Sequence, residues 1–322
     1  MRVRWTADRN GPSRSATRRH LRAPRRGEPL RSVHRLATDA GEATVAGRSA
    51  HPNGRTTVTT APAPPVVAVP DADLAAAAAT PGGIDRLADR LAGSGAAVVA
   101  VGTDRFDPAT STGHRLDPTT ATLALGRALP DHGFLVAVAP TREHPYNAAR
   151  RVLSLDHVLD GRVGAVVGAR DHGATNTGVP STGAPHDPAE FARVLRGLWR
   201  TWPLDSIVGD RTSGLFAHID RIRPLDHDGG PDGYRVRGPL TTPSSRQGEP
   251  VLAVWHDVDL PGADLVLGGT AHPLAPLPAA RSEAEPHRAS RSTATRPPRP
   301  PRAARPTLRT LLGLPDPTAV TA

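Results

Sequence analysis

Residues 134–167 constrain this chain more than any other stretch. Phe134 to Ala139 (FLVAVA) is apolar on both faces, and a polar loop with Thr141 and His144-Pro145-Tyr146 follows it. A helix then carries Arg150, Arg151 and Asp156, and Val163 to Val167 is a second apolar run. Strand, loop, helix, strand is the repeating unit of a parallel sheet, whose strands are covered on both faces. Such sheets place their chemistry at the carboxyl ends of the strands. The loop holding His144 and Tyr146 lies at such an end.

Similar units flank it. Pro65 to Val69 (PVVAV) reads as a first strand, and Asp71 to Ala79 is Ala-rich. A helix near Ile84–Ala92 has apolar positions 84, 87, 88 and 91, the spacing of one buried face, and Gly93 and Gly95 end it. Ala96 to Val101 is the next strand, followed by the polar turn Gly102-Thr103-Asp104-Arg105. Asp117-Pro118 and Asp187-Pro188 are helix starts, the second opening a helix to Trp202 with Phe191, Val194, Leu195, Leu198 and Trp202 on one face. Residues 169–187 are rich in Gly, Pro, Thr and Asn and read as a long loop. Tyr234 to Arg237 alternates like a short strand, and Val251–Trp255 and Leu265–Leu267 read as buried ones.

The βα-repeating run holds about six strands, roughly two units short of a (β/α)₈ barrel. The eight residues from His256 to Ala263 are also fewer than the dozen or so of an ordinary parallel crossover. The fold class is therefore α/β, of TIM-barrel-like (β/α)₈ lineage and incomplete.

Composition narrows the chemistry. The chain has no cysteine and no lysine among its 322 residues, and all 40 basic residues are arginine. Disulfides, thiolate ligands, a Cys nucleophile, Schiff-base chemistry and the P-loop lysine are excluded. The net charge of +9 is unevenly placed, with 13 arginines against four acids in residues 1–60 and eight against three in 281–322. The middle of the chain is mildly acidic, and the basic ends lack the apolar content to bury a core. They read as solvated arms; without aromatics to stack bases, they do not make a case for nucleic-acid binding. No run of 18 apolar residues predicts a membrane span, and no apolar signal core follows the first arginines. A cytoplasmic protein is expected. The predicted organisation is a disordered Arg-rich tail over 1–60 (or an over-extended reading frame), a barrel domain over 61–270, a Pro/Arg-rich linker over 271–305 and a closing segment over 306–322.

Several motifs in order resemble one family. They are Glu143-His144-Pro145-Tyr146, Ala149-Arg150, Leu155-Asp156-His157, Gly161-Arg162, the Phe191–Trp202 helix, Phe216, Ile222-Arg223 and Asp226-His227-Asp228-Gly229. Tyr234 to Leu240, Pro243, Gln247 to Val251 and Thr307 to Leu314 continue them. The chain is similar to the bacterial luciferase-like flavin monooxygenases, in the branch of nitrilotriacetate monooxygenase, dibenzothiophene sulfone monooxygenase and pristinamycin synthase. The resemblance covers about 81–270 and 306–317 and makes 61–270 a luciferase-like α/β barrel domain.

The resemblance implies a two-component monooxygenase. A separate NAD(P)H-dependent flavin reductase delivers reduced FMN (FMNH2), and O2 and a small organic substrate react through a flavin C4a-hydroperoxide, with no metal. It implies a homodimer. Asp104, Thr141, His144 and Tyr146 then stand where flavin contacts fall, with His144 the candidate catalytic group as a neutral imidazole beside the ring. Each has a plainer reading: Asp104 a solvated loop acid, Thr141 a strand terminator, His144 a turn histidine, Tyr146 a helix cap. Arg150, Arg151 and Asp156 read as an ion-pair network. Asp226-His227-Asp228 and His256-Asp257-Val258-Asp259 lack the spacing of converging metal ligands.

Three departures stand against this. After the fifth strand the family's Gly-Ser phosphate turn is replaced by Trp255-His256-Asp257-Val258-Asp259, and the hydroxyl pair after the fourth strand by Gly168-Ala169. A Pro/Arg-rich tract between Gly269 and Pro306 stands in place of the last two βα units. A catalytically inactive or degenerate member of the fold would look the same.

Overall fold

The computed structural model describes residues 65–110, 115–173, 187–270, 272–279 and 305–317. The expected tail over 1–60 and most of the 271–305 linker lie outside these residues.

The uninterrupted apolar runs form one parallel sheet. Its strands are β1 (Val66–Val69), β2 (Val98–Val101), β3 (Gly133–Val138) and β4 (Val163–Val167). Two short antiparallel ladders follow, β5 (Ile207–Asp210) with β6 (Leu215–Ala217) and β7 (His227–Asp228) with β8 (Arg235–Val236). The sheet then gains β9 (Val251–Trp255), β10 (Leu265–Leu267) and β11 (Leu274–Ala275). Its seven strands run in the order β10-β9-β4-β3-β2-β1-β11, all parallel.

The sheet is barrel-like because its two edges are neighbours in the chain. Six residues join β10 to β11, a reach of about 25 Å at most, and Gly268 N–H turns back onto His272 O. A flat seven-stranded sheet would hold its edges about 29 Å apart. The sheet must curl.

Three expectations are corrected, and one is narrowed. The sheet has seven strands, because the Leu274–Ala275 pair, placed in the linker, adds beside β1 with Val66 opposite Leu274. A two-residue strand carries no periodicity to read. The short strand expected at Tyr234–Arg237 is present as β8 over Arg235–Val236, and it pairs with β7 outside the main sheet. The segment between β9 and β10 suffices for a parallel crossover: β10 pairs over only three residues, and a turn closed by Val258 N–H to Trp255 O starts the return. The last long helix stops at Trp199, so Trp199 and not Trp202 enters the core, its Nε1 donating to Ala149 O at 3.1 Å.

The outer face of the sheet, including Val67, Val69, Val136, Val138 and Leu252, packs under the helices. These are α1 (Asp71–Ala78), α2 (Gly83–Ala92), α3 (Pro118–Ala128), α4 (Pro145–Val158) and α5 (Pro188–Trp199). Asp117 and Asp187 cap α3 and α5 as Asp-Pro predicts, each accepting two backbone N–H groups. The inner face holds Val98, Ala100, Leu135, Ala137, Val166 and Ala253. At its amino end sits α6 (Leu308–Leu311), with Leu308 buried between two glycines. A Cβ on Gly133 would lie 2.5 Å from Leu308 Cδ1, and one on Gly164 would lie 3.0 Å from Leu308 Cδ2. The closing segment is therefore part of the inner core.

Candidate functional site

At the carboxyl ends of the strands a charged residue follows each of the first four within a few positions: Asp71, Arg105, Arg142 and Asp171. They form one ion-pair belt. Gly102, at φ 81°, turns β2 into a short 3-10 segment, Thr103–Phe106. Its Arg105 is buried and clamps Asp71, Nε donating to Oδ2 at 2.7 Å and Nη2 to Oδ1 at 3.0 Å. Nη2 also donates to Leu116 O, and Nη1 lies 3.9 Å from Asp171 Oδ2. Arg142 bridges Asp171 at 2.9 Å and Asp117 at 3.1 Å, and Arg151 continues the belt to Asp117 and Glu143. Burial would raise the Asp117 carboxyl, but Thr119, the Thr120 N–H, Arg151 and Arg142 together hold it below the usual range.

Two of the predicted site residues join this belt. Asp104 Oδ2 accepts the Asp71 N–H at 2.9 Å, while its Oδ1 is buried without a donor. Burial, with the Asp71 charge, pushes its carboxyl up against the pull of the Asp71 N–H, Arg105 and Arg115. Thr141 Oγ1 accepts the Asp171 N–H at 2.9 Å. His144 and Tyr146 stand on the side made by α4, Tyr234 and Pro239. His144 caps α4, its Nδ1 accepting the Tyr146 N–H at 3.2 Å, which leaves the proton of the neutral ring on Nε2. Its ring meets Tyr234 edge-on at 5.5 Å. The Tyr146 hydroxyl donates to Pro239 O at 3.4 Å.

The expected Arg150–Arg151–Asp156 network is corrected. Five helical positions put Asp156 about 140° around α4 from Arg151, so only Arg151 reaches the belt. Asp156 is fully buried and accepts from Val163 N–H at 2.9 Å, Gln247 Nε2 at 3.0 Å and the Ser245 hydroxyl. Burial raises its carboxyl to about 6, against the lowering by Ser245, the Val163 N–H, His157 and Gln247.

Sequence reasoning missed Asp71, Arg105, Arg142 and Asp171, although their place just past four strand ends was a readable signal. It also missed the aromatic floor. Phe106 and Trp255 pack at 5.4 Å inside the mouth. A Cβ on Gly168 would lie 2.3 Å from the Phe106 ring, and one on Gly268 2.7 Å from Trp255. The missing hydroxyl at 168 thus has a physical reason, since a side chain there would displace Phe106.

The residues fit the two ends of a flavin nucleotide unequally. Asp104 Oδ1 and the Thr141 hydroxyl are polar groups within the belt, of the kind a ring edge takes, while His144 stands beside Tyr234 at the start of α4. A phosphate finds no such match. One or two of the first N–H groups of α1, α3, α4 and α5 are taken by Asp104, Asp117, His144 and Asp187, which leaves fewer donors at the helix ends that bind anions. After β9, Asp257 and Asp259 replace the phosphate turn.

Sheet and site together define a barrel-like parallel α/β protein with a polar mouth at its strand ends. No family model matches the chain. It is 36% identical over 155 residues to one of the subunits of pristinamycin IIA synthase of Streptomyces pristinaespiralis, covering 48% of this chain and 51% of that protein. It is 33% identical over 143 residues to dibenzothiophene-sulfone monooxygenase of Rhodococcus erythropolis, covering 42% and 31%. Among solved structures, an EDTA monooxygenase from a Chelativorans species superposes with a TM-score of 0.49 at 21% identity, over 64% of this chain and 53% of that one. The chain is related to the luciferase-like monooxygenases. It spans about half the length of the first of these relatives and about a third of the second.

Proposed function

We propose that this chain is the oxygenating component of a two-component flavin system. It takes reduced FMN from a separate NAD(P)H-dependent reductase and, with O2, oxygenates a small organic substrate in the barrel mouth. The observation that carries this reading is its kinship over 155 residues to a pristinamycin IIA synthase subunit. Reduced FMN, when bound, supplies the electrons that activate oxygen. The chain's own residues orient and protect: Asp104 Oδ1 accepts a hydrogen bond, the Thr141 hydroxyl and His144 Nε2 donate, and Tyr146 anchors the α4 end through Pro239. His144 is the candidate catalytic group. A homodimer in the cytoplasm is the setting that goes with this reading.

A second reading has its own support. The capped helix ends and the Phe106–Trp255 floor favour an inactive member that no longer turns over flavin. Mixing protein and photoreduced FMN with oxygenated buffer separates the two. The enzyme reading expects reoxidation severalfold slower than for free flavin, with the delay lost in His144→Ala. The inactive reading expects the free-flavin rate at every protein concentration.

A further inference from the structure

Among the described residues the belt contains one guanidinium whose terminal nitrogens have no acceptor. Arg115 has a side chain 11% exposed, and both Nη1 and Nη2 are buried with no hydrogen-bond partner. Its nearest acid is Asp71 Oδ2 at 3.8 Å, already engaged by Arg105 at 2.7 Å. Leaving charged donors buried and unmatched is costly, yet the site is shaped to keep them. A Cβ on Gly173 would fall 2.3 Å from Arg115 Nη1, and the Gly173 N–H is held by Asp171 Oδ1 at 2.8 Å. Beside it Asp104 Oδ1 is the opposite case, a buried acceptor without a donor. The two share Asp71, whose N–H bonds Asp104 and whose carboxylate faces Arg115.

We infer that Arg115 and Asp104 form a two-point clasp for a small molecule bearing a carboxylate next to a hydroxyl or N–H donor. The guanidinium offers two parallel N–H groups, the geometry that takes a carboxylate in bidentate fashion, and Asp104 Oδ1, which has two acceptor sites, takes the neighbouring donor beside the one from the flavin edge. Net charge selects among anions. The belt holds Asp71, Asp104, Asp117, Glu143 and Asp171 against Arg105, Arg115, Arg142 and Arg151. One acid in excess disfavours a dianionic phosphate and tolerates a monoanion that brings its own donor. The clasp rests on the oxygenase reading in that it would hold the carboxylate end of the substrate, but its binding is measured without flavin.

The test titrates the 322-residue chain with glycolate, with ethylene glycol as the uncharged analogue and with inorganic phosphate, by calorimetry and thermal unfolding. Glycolate is expected to saturate with a Kd on the order of 1 mM, while ethylene glycol does not bind. Arg115→Gln weakens glycolate at least about tenfold, and Asp104→Asn weakens it severalfold, with unfolding midpoints confirming that both variants fold. No saturable glycolate binding, or unchanged affinity in Arg115→Gln, overturns the clasp. Phosphate binding more tightly than glycolate through Arg115 overturns it too and makes Arg115 a phosphate grip. FMN titration of the same preparations reports the flavin reading separately, so either can fail alone.

Discussion

Asp156→Ala lowers the stability of the fold by about 3 kcal/mol or more, the cost of stranding three buried donors. These donors are the Val163 N–H, the Ser245 hydroxyl and Gln247 Nε2, drawn from β4 and from the loop before β9. One carboxylate therefore ties the end of α4 to two neighbouring strands. Its pH dependence has a definite sign. The folded carboxyl sits at about 6 against 3.8 for the free group, so the native state binds a proton more readily. That contribution is fully present below about pH 4 and is lost as pH rises through about 6, with a slope of at most about 1.4 kcal/mol per unit. Asp156→Asn removes this slope. Its Oδ1 can accept from Val163 and Gln247 while its amide donates to a turned Ser245. Urea unfolding of the three proteins between pH 4 and 7.5 checks both points, and equal slopes for wild type and Asp156→Asn would refute the assignment.

Arg105→Ala costs about 3–5 kcal/mol, because it leaves the buried Asp71 carboxylate without its bidentate partner. Arg115, 3.8 Å away, is the neighbouring charge able to move in. The double variant Arg105→Ala/Asp71→Ala loses less than the sum of the single losses by about 1–3 kcal/mol, as for groups in one network. Additive losses would mean that the belt is a set of independent surface pairs, each contributing under about 1 kcal/mol.

The parts of this fold that local physics dictates were legible. Uninterrupted apolar runs such as FLVAV and VGAVV marked buried parallel strands, and Asp117-Pro118 and Asp187-Pro188 marked helix starts by their own capping chemistry. What stayed hidden depends on distance along the chain. Asp156 meets partners 89 and 91 residues away, and β11 exists only because β1 offers an edge. The mouth was located from the loop after β3, but its wiring was not. Arg105 and Arg115 look alike in the sequence, and only the folded chain shows the first neutralised by Asp71 and the second left with unmatched donors. The Gly168-Ala169 pair read as lost hydroxyls, and Gly168 proves to be room for Phe106.

This mouth is proposed to hold a reduced flavin. The direct test is an anaerobic titration of the 322-residue chain with photoreduced FMN, followed by equilibrium dialysis or flavin fluorescence. Saturable binding at one site per chain is expected, weakened in Asp104→Ala and Thr141→Ala relative to wild type. A folded protein that shows no saturable binding of FMNH2 would contradict it and leave the barrel as an inactive relative of flavin enzymes.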